Sequence, residues 1–491
     1  MTFTFPILPL NFRLTFTQYT SLVIQIGEGK TMFKQTLKKK LLPVAVLSSV
    51  AFASLAGAFS GAEAKEQEKE NNAKVKNVIF LVGDGMGPSY TSAYRYLKDD
   101  PTTKFVEKTA FDPYLVGQQM TYPEDQEQNV TDSASAATAM SAGIKTYNNA
   151  IAVDNDESEV KTVLEAAKEK GKATGMVATS EITHATPASF GGHDVSRKNM
   201  DSIADDYYDE FINGEHKVDV LLGGGRDLFE RSDRNLAEEF KKDGYSYVTD
   251  RDALLKDKNE QVLGLFAPRG LDKMIDRDDK QPSLAEMTQS AVDRLSQDKD
   301  GFFLMVEGSQ VDWAGHDNDI VGAMSEMEDF EKAFQIAIEF AKKDKQTLVV
   351  ATADHSTGGF TIGADGEYNW FGEPLKAAKR TPDFIAQEIV SGKDVEETLK
   401  QYIELDLTPD EVLSVKQAAT TNKVTQIDQA IETIFNNRSN TGWTTGGHTG
   451  EDVPVYAFGP SSSQFAGNLD NTDHAKIIFD LLKAKVDIND K

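Results

Sequence analysis

Residues Asn77 to Val82 read NVIFLV and run directly into Gly83-Asp84-Gly85-Met86-Gly87-Pro88. An almost unbroken apolar run of strand length has no polar face, so as a strand it must be covered on both sides. The glycines that follow permit a tight turn, which aims Asp84 out of the strand's carboxyl end. Similar runs recur at Thr174–Thr179, Val218–Leu222, Phe302–Val306, Thr347–Thr352 and Val453–Phe458. Segments with helical spacing lie between several of them: Glu159–Glu169, Leu284–Leu295 and Met324–Lys343. Buried strands alternating with amphipathic helices predict an α/β fold, doubly wound around a mostly parallel sheet.

The stretch from about Asp365 to Asn440 breaks this rhythm. It reads as polar helices, Asp394–Leu405, Pro409–Thr420 and Thr425–Phe435, with Thr408-Pro409-Asp410-Glu411 as a helix start. The expectation is an α/β domain over 77–364 and 441–491, with a helical insertion at 365–440 packed over or beside the sheet.

Composition narrows the chemistry. The 491 residues contain no cysteine, which excludes disulfides, thiolate nucleophiles and cysteine-bound zinc. Histidine, aspartate and glutamate are left as the strong metal ligands. A net charge of −27 argues against nucleic acid or an anionic membrane as partner. Near the N-terminus, Lys34, Lys38, Lys39 and Lys40 precede an apolar stretch from Leu41 to Phe59, and Ala62-Glu63-Ala64 offers a cleavage site. This pattern is expected of an export signal, with translation starting at Met32 and residues 1–31 an upstream extension. The A-x-A site and the alanine, serine and glycine content favour cleavage over a membrane anchor. Residues 65–76 read as a solvated linker, and the protein as periplasmic or secreted.

Chemistry-bearing residues gather at strand ends. Asn129 to Ser141 read NVTDSASAATAMS, which places Ser133 behind Asp132 at the expected start of a helix. Free N–H groups and partial positive charge at such a terminus suit a hydroxyl that must meet phosphate. Strand Phe302–Val306 leads into Glu307 and then Asp312 and His316, four apart, as on one helical face. Strand Thr347–Thr352 leads to Asp354 and His355. Neighbours in a strand point to opposite faces, so both reach one metal only if the chain turns, as Gly358-Gly359 would allow. His448 sits in the glycine-rich loop before the last strand. After Thr174–Thr179 come His184 and Thr186, then Arg197, whose guanidinium fork suits phosphate oxygens. His193, His216 and His474 are expected to be loop and helix-cap residues. The G-D-G-M-G-P turn places its third glycine too early for a dinucleotide fingerprint. Together these groups suggest metal-assisted attack on phosphate.

The segments VGDGMG, TDSASAATA, ITHATPASF with VSRK, VEGSQVDWAGH, TADHSTGG and TGGHTG closely resemble, in order, the successive motifs of the alkaline phosphatases. That resemblance implies a phosphomonoesterase with an α/β/α sandwich, two Zn2+ and one Mg2+ per subunit, and commonly a homodimer. It implies that Ser133 is the nucleophile and that Asp84, Asp354 and His355 hold one zinc, joined by Ser133. The second zinc would lie on Asp312, His316 and His448, and the magnesium on Asp84, Thr186 and Glu307. Arg197 would bind the substrate phosphate, steadied by Asp132. His184 and Trp313 stand where the enteric member has Asp and Lys, and look like the variant of animal and some other bacterial members; both are assigned to substrate binding. The segment 365–440 resembles the family's variable crown.

Other readings fit less well. A sulfatase needs a C/S-x-P-x-R context that Ser133-Ala134-Ser135-Ala136 lacks. Diesterases of the same superfamily lack the set of Thr186 and Glu307 together with Arg197. A mutase would need further histidines. A binding protein that has lost turnover would not keep nucleophile, ligands and arginine together.

Overall fold

The computed structural model describes residues 74–486; the expected signal segment and the linker up to residue 73 lie outside them. Ten strands form one sheet: β1 (Asn77–Gly83), β2 (Leu115–Met120), β3 (Ala173–Glu181), β4 (Val220–Gly224), β5 (Ser246–Val248), β6 (Val262–Leu265), β7 (Phe302–Gly308), β8 (Thr347–Thr352), β9 (Val453–Phe458) and β10 (Gly467–Asp470). Their order in space is β10-β2-β9-β8-β1-β7-β3-β4-β6-β5. Only β9 runs against the rest, antiparallel to both β8 and β2.

The opening stretch is the centre of this sheet. Val78 sits opposite Leu348 of β8 on one side and Phe303 of β7 on the other. All seven β1 residues are buried. Ile79 and Leu81 enter one core, while Val78, Phe80 and Val82 enter another. Period-2 alternation therefore divides one apolar run between two covered faces.

The principal helices, in chain order, are α1 (Ser133–Ala142), α2 (Val163–Glu169), α3 (Ala185–Gly191), α4 (Leu284–Leu295), α5 (Gln310–Asp317), α6 (Ile320–Asp344), α7 (Pro382–Val390), α8 (Val395–Tyr402), α9 (Pro409–Ala419), α10 (Val424–Ser439) and α11 (Thr472–Leu482). α4 and α6 cover the first face, and α1, α2, α3 and α11 the second. α7 to α10 occupy the stretch that breaks the strand rhythm. The chain enters it through Thr361–Ile362 and leaves through Thr441–Gly442, which pair antiparallel, so the two ends meet.

Some boundaries differ from expectation. The helix anticipated from Glu159 begins only at Val163, because Thr162 and Glu165 close a capping box there. Glu159 instead bridges Val153. Strands β2, β5, β6 and β10 were not anticipated. β2 and β10 carry mixed, partly exposed residues, and β5 and β6 are only three and four residues long.

His474 is not a cap. It is fully buried between Phe80 and Phe465, with ring centroids 5.5 and 5.6 Å away. Neither ring nitrogen has a hydrogen-bond partner. Burial pushes its pKa down to about 4, against the pull of Asp473 and Asp470. The unfolded chain takes up this proton near the ordinary value of about 6.5, while the folded chain resists it until about 4. The unfolded state thus binds more protons, and stability falls as pH drops through that window. The loss is on the order of 3 kcal/mol, complete near pH 4. His474→Met should lack this component. Urea midpoints measured from pH 7 to pH 5 should converge if wild type starts higher, or diverge if it starts lower, with wild type always losing more. Parallel curves would show that His474 is not desolvated.

Candidate active site

The loops that follow β1, β3, β7 and β8 all emerge at the carboxyl end of the sheet. Because β9 is antiparallel, its amino end lies at that same edge, so His448 reaches it from in front of its strand. Six distant segments meet there. Gly85 makes the first turn possible: its φ is +70°, and a Cβ would stand 2.7 Å from Cα of Asp312.

Three groups of ligand atoms form, each with its members within 4.8 Å of one another. Asp84, Asp354 and His355 make one, and Asp312, His316 and His448 another. The third joins Asp84 and Glu307 to His184. The hydroxyl of Thr186 is buried beside Glu307. Ser133 Oγ is 3.2 Å from Nε2 of His355, which is itself 3.1 Å from Oδ2 of Asp354. The chain turns after Asp354 and His355 as expected, with Gly358 and Gly359 both at positive φ.

Ser133 opens α1. Asp132 caps that helix by accepting from Ser135 N at 3.0 Å, and its other oxygen accepts from Arg197 Nη1, also at 3.0 Å. One carboxylate therefore fixes both the helix terminus and the guanidinium beside it. Arg197 Nη2 lies 3.2 Å from His184 Nε2. A guanidinium can only donate, so this nitrogen accepts and the imidazole is neutral. Burial and then Arg197 hold its pKa down at about 3. Trp313 packs edge-on to His184 at 5.8 Å. Gly270 leaves room for it, since a Cβ there would stand 2.4 Å from the indole.

The residues fit cations. Asp84, Glu307, Asp312 and Asp354 are each at most 3 % exposed. Among the described residues no lysine or arginine pairs with any of them. Both oxygens of Asp84 and one of Glu307 are buried without a partner. Burial, then Asp354, Asp312 and Glu307, push the Asp84 carboxyl well above the usual range, and burial pushes Glu307 up to about 7. The histidines carry the same message. Nδ1 of His316 meets the Gly446 carbonyl at 2.7 Å, and Nδ1 of His448 meets the Thr131 carbonyl at 3.0 Å. Each Nδ1 must donate, which leaves the two Nε2 atoms facing each other at 3.1 Å beside Asp312. Asp312 holds His316 up at about 9, so a proton or a metal cation must sit where the two imidazoles and the carboxylate converge. The imidazole-containing groups suit zinc, and the oxygen set of Asp84, Thr186 and Glu307 suits magnesium.

Supporting residues escaped the sequence reading. Thr357 Oγ1 donates to Asp312 at 2.5 Å, and Ser309 and Ser180 donate to Glu307 at 2.6 and 3.2 Å. Their signal was adjacency alone: Ser180 and Ser309 lie at strand ends, and Thr357 follows His355 by two residues. His193 belongs elsewhere, with Glu165 and Glu210, where the buried Lys217 ammonium already supplies the cation.

A model of the alkaline phosphatase family matches residues 75–484. The chain belongs to that family. It is 72 % identical over 457 residues to alkaline phosphatase 3 of Bacillus subtilis (strain 168), covering 92 % of this chain and 99 % of that protein. A cold-active alkaline phosphatase structure from a psychrophilic Shewanella is 42 % identical, with a TM-score of 0.78 over 83 % of this chain and 99 % of that one. The alkaline phosphatase of the Antarctic bacterium TAB5, in a His-to-Asp mutant described with Mg bound in the M3 site, is 31 % identical. Its TM-score is 0.61, over 84 % of this chain and 99 % of that one. Alkaline phosphatases are metal-dependent hydrolases, in keeping with the unneutralised carboxylates.

Metal removal should therefore cost stability as well as activity. Each ion that binds only the folded state at a hundred times its Kd adds about 2.7 kcal/mol. Scanning calorimetry of chelated protein should show a lower Tm that zinc and magnesium restore. An unchanged Tm would mean that protonation alone holds the cluster together.

Proposed function

We propose that this chain hydrolyses phosphate monoesters to an alcohol and inorganic phosphate through a phosphoserine at Ser133. The observation that carries this reading is the position of Ser133 Oγ, at a helix N-terminus between the Asp84–Asp354–His355 group and the Arg197 clamp. Two Zn2+, held by Asp84, Asp354 and His355 and by Asp312, His316 and His448, and one Mg2+, held by Asp84, Thr186 and Glu307, would supply Lewis-acid charge that lowers hydroxyl and water pKa values.

The protein's own groups do the rest. Arg197 offers its fork to the phosphate oxygens, while Asp132 and the neutral His184 fix that fork from two sides. The Ser133 oxygen attacks phosphorus as the ester P–O bond breaks and the alcohol departs. Water then attacks the phosphoserine and frees inorganic phosphate. His184 and Trp313 line the approach to Arg197 and bind substrate through it. With six positive charges against four carboxylates, and Arg197 cancelling Asp132, the site is positive inside an acidic protein. Screening over about 8 Å hides the distant negative surface from a phosphate.

A diesterase would need no third oxygen-rich group, so Thr186 beside Glu307 favours monoesters. Export follows from the reading of residues 1–64. A homodimer follows from the family resemblance, and sedimentation of the mature chain tests it. No helix among the described residues is long and apolar enough to cross a membrane.

Ser133→Ala should lower turnover of an aryl monoester at least about a hundredfold, or about 2.7 kcal/mol, with metal content unchanged. Labelled phosphate should mark the wild-type chain at acid pH and leave the variant unmarked; near-normal turnover by the variant would refute the covalent route. Chelated protein should also lose phosphate binding by calorimetry, because the charge that attracts the dianion has gone. Tight binding without metal would assign the affinity to Arg197 alone.

A further inference from the structure

One turn joins the helix of Ser133 to the arginine that faces it. Tyr147 to Ala150 form it, closed by Ala150 N donating to the Tyr147 carbonyl at 3.2 Å. Asn148 and Asn149 are its central residues, and Asn149 has a φ of +79°. A turn with positive φ at its third residue favours glycine or asparagine, because other side chains crowd the backbone there.

The turn holds Asp132 from two sides. The buried Asn148 side chain accepts through Oδ1 from Asp132 N at 2.9 Å and from Ser135 Oγ at 2.8 Å. Its Nδ2 donates to Gln128 Oε1 at 2.6 Å and to the Val130 carbonyl at 3.0 Å. Every lone pair and proton of this amide is then engaged, which ties the chain entering α1 to the turn. Asn149 N donates to Asp132 Oδ2 at 3.0 Å, the same oxygen that accepts from Arg197.

The Arg197 loop hangs on the same turn and the residue after it. Arg197 N donates to the Asn149 carbonyl at 2.8 Å. Ile151 and Asp194 exchange N–H···O bonds at 2.9 Å each, and Tyr147 Oη donates to the Val195 carbonyl at 3.0 Å. Asn149 therefore touches both members of the Asp132–Arg197 pair through its own main chain. The pair alone would fix little. Its side chains are 17 % and 18 % exposed, and a single contact leaves a long guanidinium stem many orientations.

We propose that Asn149, with Asn148 beside it, is a positioning residue for phosphate binding: its left-handed conformation sets the Arg197 fork against Ser133. This rests on Arg197 receiving the phosphate. Asn149 acts through its peptide groups, so what matters there is the φ a residue accepts, not the side chain it carries. Glycine should serve as well as asparagine, alanine less well, and valine, branched at Cβ, worst.

The test makes Asn149→Gly, Asn149→Ala and Asn149→Val in wild type and in an Arg197→Ala background. It measures kcat and KM for an aryl monoester, inhibition by inorganic phosphate, and zinc and magnesium content. Asn149→Gly should reproduce wild type. Asn149→Val should raise KM and the phosphate inhibition constant about tenfold or more, with a smaller change in kcat and unaltered metal content. Asn149→Ala should fall between them. With Arg197→Ala already present, Asn149→Val should add nothing to KM, because the two residues act as one unit. An equal rise in both backgrounds, an unmoved KM, or a glycine variant as impaired as valine would overturn the proposal. Should Asn149→Val not fold, the order of glycine, asparagine and alanine decides. If Arg197→Ala itself leaves KM and phosphate inhibition unchanged, the clamp falls and this role with it. If only the Asn149 variants leave them unchanged, the clamp stands and this role alone falls.

Discussion

Four carboxylates, Asp84, Glu307, Asp312 and Asp354, are forced together at the carboxyl edge of a sheet, buried and without a lysine or arginine partner among the described residues. Like charges at such separations in a poorly polarisable interior repel strongly. The arrangement persists only if protons or metal cations enter. Much of what surrounds the edge can be understood as holding this unfavourable geometry in readiness for cations. Gly85 N and His355 N donate to Asp354, Thr357 donates to Asp312, and two serines donate to Glu307. Each takes up one lone pair and leaves another directed inward, which orients a ligand without neutralising it.

The sheet supplies the rigidity that this repulsion requires. β1 lies between β7 and β8, and Asp84, Glu307, Asp354 and His355 come from the ends of these three neighbours. Their register is fixed by apolar residues divided between two cores, so a slip would expose a whole face. On the other side, α1 brings Ser133 to the edge as a run of small residues. Ser189 of α3 donates to the Ala134 carbonyl, and Ser141 donates back to the Ser189 carbonyl. Bulkier side chains would hold these helices apart and withdraw the hydroxyl from His355.

What could be read from sequence follows from the same physics. Strands buried on both faces leave continuous apolar runs, so β1, β7, β8 and β9 were legible almost to the residue. β2 and β10 were not, because their polar and half-exposed residues resemble loops. In the site, residues that end a strand or share a helical turn stood out, as Asp84, Asp312 and His316 did. Arg197 and His184 have no local signature. Arg197 becomes a clamp only because the fold brings Asp132, sixty-five residues earlier, within 3.0 Å. His184 could be connected to Asp84 and Glu307 only in three dimensions. His474 read as a loop or helix-cap residue because histidine is polar, yet its aromatic neighbours come from β1 and from Phe465, near the C-terminal end of the chain.

The acidic character of the chain also becomes intelligible. An excess of carboxylates is unremarkable on a solvated surface, but it is costly wherever the fold buries it. The structure answers that cost in two ways. At Asp329 and Glu326 it provides guanidinium and backbone donors. At Asp84 it provides none among the described residues. A buried carboxylate without a donor calls for a proton or for a cation that the chain does not encode. The neighbouring side chains then decide which kind of ion can meet it: imidazoles beside Asp312 and Asp354 suit zinc, and the oxygens of Asp84, Thr186 and Glu307 suit a harder ion. Electrostatic incompleteness, more than any single motif, marks the catalytic edge.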